Sequence, residues 1–357
     1  MKKSIKGKSP SLPSGESTGK SPSLPLVPCI RRILPVLCLL LLLARPALAF
    51  SGAKNGLVLW GTVVLPTLLP FMICSGVIVA LDGVGILIKP FAPFFRGLLK
   101  LSKNGCFVLV SGLLCGYPMG AKTDSEFLNS RRISLKQARY LLAISNHPSP
   151  MFVLGYVMDR IGLVPAVVCP IWIMAAALYL PVVPVAWLAQ KVYGYHGEED
   201  LQQQSGAARI KEKEVYAPFS FDAHMMGCFE TMVKIGGYIM LFSILAMYLT
   251  AMPFENPLLR CALLGTVEIT TGIQSIAQGV PGFAAVLMIT ASTAFGGLSG
   301  IFQTKSVLKN AGLSIRHYCL WKLVHSVFSC ILLAALWYLF TAAQGPVPPA
   351  APVLRFY

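Results

Sequence analysis

Glu268 is the acidic residue set deepest in apolar sequence, with Cys261-Ala-Leu-Leu ahead of it and Ile269-Thr-Thr-Gly-Ile behind. A carboxylate inside hydrocarbon is expensive unless it is paired or faces water, so it marks a functional site by default. It could carry a coupling proton, or accept hydrogen bonds from a polar ligand. Thr270, Thr271, Gln274 and Ser275 supply hydroxyl and amide groups beside it. The plainer alternative is a structural partner for Lys122 or Lys234.

The other candidate groups sit where apolar runs are interrupted. Gly112, Gly116, Pro118 and Gly120 break a run that begins near Cys106. Ser145-Asn146-His147-Pro148-Ser149-Pro150 is a second break, and it opens another run. Broken backbone within a bilayer is tolerated only where protein covers it or where it lines a cavity. Tyr117, Lys122, Asn146 and Ser149 could hydrogen-bond a solute there, and helix N-termini at the breaks could aim N–H groups at its polar atoms. The alternative is that Gly116–Gly120 is only a tight re-entrant turn whose polar groups satisfy backbone. Two further breaks follow late in the chain, at Gly265–Gly272 and Thr290–Gly300. The candidate site is therefore Gly116, Tyr117, Pro118, Gly120 and Lys122; Ser145, Asn146 and Ser149; Glu268, Thr270, Thr271 and Gly272; and Ser292, Gly296, Gly297 and Ser299.

Catalysis has a weaker footing. Gly297-Leu-Ser299-Gly300 matches the short pattern of intramembrane serine proteases, and His325 lies in the last apolar run. Such chemistry needs a base in reach of the nucleophile, while small residues are expected at membrane helix contacts anyway. His317, Trp321 and His325 share a helical face, which reads as packing and an interfacial anchor. No soluble-type catalytic or phosphate-binding motif is present. The ten cysteines are scattered without a C-x-x-C pair, so they read as small hydrophobes. An enzyme is not expected, nor is any cofactor or metal.

These groups must be positioned by membrane-embedded helices. Of 357 residues, 55% are hydrophobic and only 12% charged, against roughly 25% charged in soluble domains, and the mean hydropathy is +0.68. The net charge of +16 is partly a tail effect: residues 1–32 hold seven Lys/Arg against Glu16, leaving +10 for the remainder. A basic segment ahead of an apolar run is a cytoplasmic topology determinant. The tail's Ser/Pro/Gly content and lack of aromatics speak for disorder, and nucleic-acid binding is not expected. Residues 33–50 resemble a signal peptide ending in Ala47-Leu48-Ala49, but Arg45-Pro46 inside the supposed cleavage region favours a retained segment.

A span is expected over 57–81, bent at Pro66 and Pro70. The basic, aromatic connection 82–104 is expected at the membrane surface. Ser134 reads as the N-cap of an interfacial amphipathic helix with Lys136 and Arg139 outside, and 161–190 as one long crossing. Residues 191–220 are the polar interior segment, the body of a linker between two membrane halves. Later spans are expected at 228–251 and 318–341. The halves, 33–190 and 225–341, flank the 191–224 linker, and 342–357 is a tail. Setting Gly120 against Gly272 aligns their first breaks and brings Ser145–Pro150 near Ser292–Gly297. Matching breaks in two halves point to a site between repeats. The fold class is an all-α polytopic membrane protein of about eight apolar segments, in two related halves with broken or re-entrant helices.

Gly56-Leu-Val-Leu-Trp60, Leu65-Pro-Thr-Leu-Leu-Pro-Phe71, Gly112…Gly116-Tyr-Pro-Met-Gly-Ala-Lys122 and Ser145-Asn146…Pro150 together resemble the YlbJ-type sporulation integral membrane proteins of endospore-forming Firmicutes. The resemblance runs over roughly residues 50–340. It implies the nucleoside-recognition Gate domain and a role in spore formation at a cell, forespore or mother-cell membrane. The family pattern leads one to expect a glycine in the second break where this chain has Ser149. The expected partners are the lipid bilayer, a small polar solute (nucleoside-like or an organic anion) and a coupling proton or sodium ion. The alternative is a membrane protein of spore envelope assembly that transports nothing.

Overall fold

A computed structural model describes residues 26–81, 83–90, 92–165, 167–197, 219–309 and 312–344. The basic tail up to residue 25, the polar stretch 198–218 and the end of the chain from 345 lie outside the described residues. Every regular element among the described residues is helical. The N-terminal unit contains α1 (Leu26–Ala44), a leucine-rich helix with exposed apolar side chains.

The main unit opens with a helix of 35 residues, Pro46–Ala80. It consists of α2 (Pro46–Leu59), a π turn (Trp60–Val64) and α3 (Leu65–Ala80). The span thus begins eleven residues earlier than expected. Pro66 cannot donate to the turn before it, and the ladder is re-registered there, with Leu65 N–H bonding Trp60 O. Next come α4 (Val84–Ile88) and α5 (Ala92–Leu99), which bury Val84, Ile88, Phe95 and Leu99 in the core and leave Arg96 and Lys100 outside. The helix α6 (Lys103–Cys115) makes a 105° bend with α5. It turns at Gly116–Pro118 into α7 (Met119–Asn129), which packs back against it.

The helix α8 (Leu135–Ile144) is capped by Ser134, whose hydroxyl accepts from Gln137 N–H at 3.1 Å. The cap is as expected, and the helix is covered by protein over most of its surface. Only Lys136 and Arg139 are exposed, and Gln137, Ala138 and Tyr140–Ile144 are buried. Two polar contacts draw the helix inward: Gln137 pairs with Ser102, and the Tyr140 hydroxyl donates to Leu99 O at 3.0 Å. After the break at Ser145–Ser149, a second π-bearing helix follows, made of α9 (Pro150–Phe152), a π turn (Val153–Val157) and α10 (Met158–Gly162). The expected crossing at 161–190 is shifted. Pro165 and Pro170 disfavour helical backbone in the residues before them, and the span is Ile171–Tyr193, formed by α11 (Ile171–Tyr179) and α12 (Val182–Tyr193).

The C-terminal part has a simpler order. A 30-residue helix, α13 (Phe221–Thr250), is followed by the short helices α14 (Pro257–Val267) and α15 (Ile269–Gly279), which pack on each other. Then come α16 (Gly282–Phe295) and α17 (Gly297–Val307), interrupted at Gly296, and the long α18 (Ile315–Gln344). Five helices, Pro46–Ala80, Ile171–Tyr193, Phe221–Thr250, Gly282–Val307 and Ile315–Ala343, are long and apolar enough to cross a membrane. The bent α5–α6 pair and the shorter apolar helices Pro35–Ala44 and Pro257–Val267 complete the set. This is a multi-pass, all-α membrane protein.

The two hairpins are built alike. In each, glycines let the helices touch, and a serine from the following broken helix closes the crossing. A Cβ added at Gly112 would lie 1.7 Å from Ser145 O and 3.0 Å from Gly120 Cα. One added at Gly272 would lie 2.2 Å from Gly265 Cα, and one at Gly265 would lie 2.3 Å from Ser292 Oγ.

Candidate functional site

Both hairpin tips, and the broken helix that follows each, reach one cavity. Its volume is about 80 Å³, several times the ~10–15 Å³ that a single water needs. From α6–α7 come Gly116 and Tyr117; from the α8–α9 break, Ser149 and Phe152; from the α14–α15 tip, Glu268, Ile269 and Thr270; from the α16–α17 break, Gly296, Ser299, Gly300 and Gln303. The remaining wall is mostly apolar: the π turn and α3 bring Val63, Val64, Leu68 and the one hydroxyl of Thr67, and α13 brings Ile239.

Glu268 is 3% exposed and is the N-cap of α15. Its carboxylate accepts from Thr270 N–H at 3.1 Å, Thr271 N–H at 2.8 Å and the Thr270 hydroxyl at 2.5 Å. Three donors, set at the positive end of a helix, offset the cost of burying it. The two lysines considered as partners are engaged elsewhere: Lys122 pairs with Glu126 and Lys234 with Glu230, each within its own helix.

The tips are shared across the chain. Tyr117 lies over Gly296 and Gly300, with ring atoms 3.6 and 3.7 Å from where a Cβ would stand. Its hydroxyl is buried without a partner. In the opposite sense, the Tyr156 hydroxyl, from the π turn after the Ser145–Pro150 break, donates to Thr270 O at 2.7 Å. Each hairpin tip therefore meets the other half's broken helix. Gly116, Gly296 and Gly297 have φ of +85°, +85° and +67°, a region that side chains with a Cβ rarely enter. These glycines make the turns that bring the tips in.

Of the residues singled out in the sequence, Gly116, Tyr117, Ser149, Glu268, Thr270, Gly296 and Ser299 line the cavity. The others support it from outside. Pro118 follows Tyr117 through a cis peptide bond and starts α7. Gly120, Ser145, Gly272 and Ser292 are the close-approach points of the two hairpins. Gly297 abuts Ile269. Thr271 contributes its backbone N–H to Glu268. Lys122 lines a separate polar vestibule of about 220 Å³, with Glu126, Glu230 and Lys234. Asn146 is a structural junction. Its Oδ1 accepts from Ala121 N–H at 3.1 Å, and its Nδ2 donates to Thr304 Oγ1 at 3.1 Å and to the Tyr318 hydroxyl at 3.0 Å. Gln274, proposed as a neighbouring donor, is exposed.

Ser299 and His325 do not act on each other: the Ser299 hydroxyl accepts from Gln303 Nε2 at 3.0 Å, and His325 Nε2 bonds Leu178 O at 2.9 Å. Trp321 and His317 converge on the Tyr193 hydroxyl, at 2.8 and 3.5 Å, as packing and anchoring require. Among the described residues, no group of three or more His, Cys, Asp or Glu is placed to hold a metal. Sequence reasoning overlooked Gln303 and the apolar wall, which carry no distinctive pattern. It also overlooked Lys322, 2% exposed within the last span. A lone intramembrane lysine was a readable signal by the same rule that singled out Glu268.

Compared with known proteins, the chain is 26% identical over 340 residues to the sporulation integral membrane protein YlbJ of Bacillus subtilis (strain 168), covering 85% of this chain and 81% of that one. No protein-family model matches the chain. No solved structure matches it.

Proposed function

We propose that this chain is a transporter-like membrane protein of spore formation that binds a small polar solute between two related halves. The observation that carries the reading is the convergence of both hairpin tips and both broken helices on one cavity containing Glu268 and Tyr117. Discontinuous helices meeting between repeats are where secondary transporters place their substrates. The likeness to YlbJ supports the link to sporulation, and with it a place in a forespore or mother-cell membrane. The repeat is read from the shared order of long helix, hairpin, broken helix and long helix, and from the matching glycine and serine crossings.

The cavity is small beside the ~300–1,000 Å³ of an ordinary ligand pocket. A nucleoside-sized solute therefore requires the tips to part, and this is the motion expected of a carrier. The same tightness favours a second reading, in which the scaffold serves spore envelope assembly and moves nothing.

The test is thermal unfolding of the detergent-purified protein with nucleosides, nucleobases, dipicolinate and small organic anions. A ligand of the native state raises the unfolding temperature with concentration. The carrier reading expects a hit that is lost in Glu268→Gln, a variant that keeps an acceptor for the α15 cap. A blank across the panel from folded protein favours the assembly reading.

A further inference from the structure

Two imidazoles meet in the core at the Ser145–Pro150 break. His147 and His325 are each 1% exposed, and their ring centroids are 4.8 Å apart. Each ring makes one hydrogen bond, to a main-chain carbonyl: His147 Nε2 to Ile144 O at 2.5 Å, and His325 Nε2 to Leu178 O at 2.9 Å. A carbonyl only accepts, so in both rings Nε2 carries the hydrogen and Nδ1 holds a bare lone pair. Both Nδ1 atoms are buried without a partner.

Lys322 stands one turn before His325 on the same face of α18. Its ammonium has three donors. One is used on Asn146 O at 3.0 Å, and the group otherwise faces the Tyr117 ring, 5.7 Å from its centroid. The ion pairs among the described residues, Lys122–Glu126, Arg160–Asp159 and Lys234–Glu230, leave Lys322 without a carboxylate. The cluster therefore holds two unfilled acceptors beside a cation with unused donors. A single water set among them would correct this imbalance by accepting from Lys322 and donating one hydrogen to each Nδ1. Three bonds is the usual complement of a buried water. The hydroxyls of Ser145, Thr293 and Ser329, on the break, α16 and α18, are also buried without partners.

We propose that His147, His325 and Lys322 bind an internal water, and that this water-bridged cluster is the station at which a coupling proton is held behind the cavity wall. The step balances simply. The Lys322 ammonium gives a proton to the water oxygen as the water gives one to an imidazole Nδ1. An amine and an imidazolium remain, and the water is unchanged. The titratable groups on the surrounding elements are Tyr117 at the α6–α7 tip, Tyr179 on α11 (ring 6.5 Å from His147), Tyr318 on α18 and the buried Asp124 on α7. Tyr117 separates the cluster from the cavity and from Glu268, so its movement would join the two. The inference rests on the carrier reading for its purpose, and it selects the proton over sodium.

The experiment uses protein reconstituted in pyranine-loaded vesicles under a valinomycin-imposed potassium diffusion potential, comparing wild type with His147→Gln and His325→Gln. Glutamine keeps an amide N–H near the Nε2 position for the carbonyl, and it removes the Nδ1 acceptor. Wild type should acidify the vesicles well above the protein-free rate, and each variant should fall to that rate with an unchanged unfolding temperature. If neither variant folds, Lys322→Gln is read the same way. The inference is overturned if wild type is no faster than empty vesicles, or if folded variants conduct like wild type. It also fails if an experimental density map that resolves other buried waters shows none between the two rings. Solute-induced stabilisation separates the two ideas. Glu268-dependent binding without proton flux sinks the proton station alone, whereas histidine-dependent flux without any solute response sinks the carrier reading and leaves the station standing.

Discussion

Adding one methyl group at Gly272 should loosen the α14–α15 hairpin and, with it, the wall of the cavity. The new Cβ would stand 2.2 Å from Gly265 Cα and 2.4 Å from Gly265 N. Carbon atoms pack at ~3.5–4.0 Å, so the helices must part by about 1.3–1.8 Å. Both obstructing atoms are backbone, and no rotamer change relieves the contact. Overpacking of this kind costs ~1–3 kcal/mol, and the displacement carries Glu268, one turn away at the tip. The assay is thermal unfolding followed with a thiol-reactive dye, since buried cysteines such as Cys261 report opening of the fold. Gly279→Ala on the same helix is the control: its Cβ meets only Cys261 Sγ, at 3.4 Å, and it should unfold near the wild-type temperature. Gly265→Ala should also destabilise, but through a different contact, since its Cβ would stand 2.3 Å from Ser292 Oγ on α16. A Gly272→Ala protein as stable as wild type would refute this account of the crossing.

Neighbouring glycines on α13 should behave oppositely. A Cβ at Gly236 falls 2.8 Å from the Trp60 indole, whose Nε1 donates to Met232 O at 2.9 Å, while one at Gly237 meets nothing within 4 Å. Gly236→Ala should lower the unfolding temperature, and Gly237→Ala should hold or raise it through the ~1 kcal/mol helix-propensity gain. Asn146→Ala removes a side chain with three buried partners on α7, α17 and α18. The loss should be ~1–3 kcal/mol or more in chemical unfolding, since the groups left behind stay desolvated. Lys122→Ala breaks a helical pair whose glutamate is 57% exposed and removes a lysine stem that is only 12% exposed. The pair itself should account for no more than about 0.5 kcal/mol of the loss, the rest being packing of the stem, and any ligand response of the cavity should survive it.

Interruption of apolar runs was the legible signal, because glycine, proline and polar clusters have local backbone consequences that hold whatever surrounds them. Gly116, Ser149, Glu268 and Gly296 were found that way, and the structure brings all four to one cavity. What was not legible is which side of a break a residue faces. Asn146 and Ser149 are three residues apart, yet one ties helices together and the other lines the cavity. The choice depends on partners such as Thr304 and Tyr318 that sequence alone cannot place. The extent to which α8 is buried was not legible for a related reason. Its periodicity predicted one apolar face correctly, but Gln137 and Tyr140 bury polar atoms against Ser102 and Leu99, so its polar side is largely inside protein as well.

The bonds of Asn146 also bear on how the protein is made. Thr304, Tyr318 and Lys322 follow it by 158 to 176 positions. While the ribosome is still synthesising α13, the first half already contains a broken backbone segment whose partners do not yet exist. That segment must stay hydrated, or be sheltered by the insertion machinery, until α17 and α18 arrive. A chain cut between α12 and α13 should therefore yield an N-terminal fragment that is degraded when expressed alone and is rescued when the remainder is supplied alongside it.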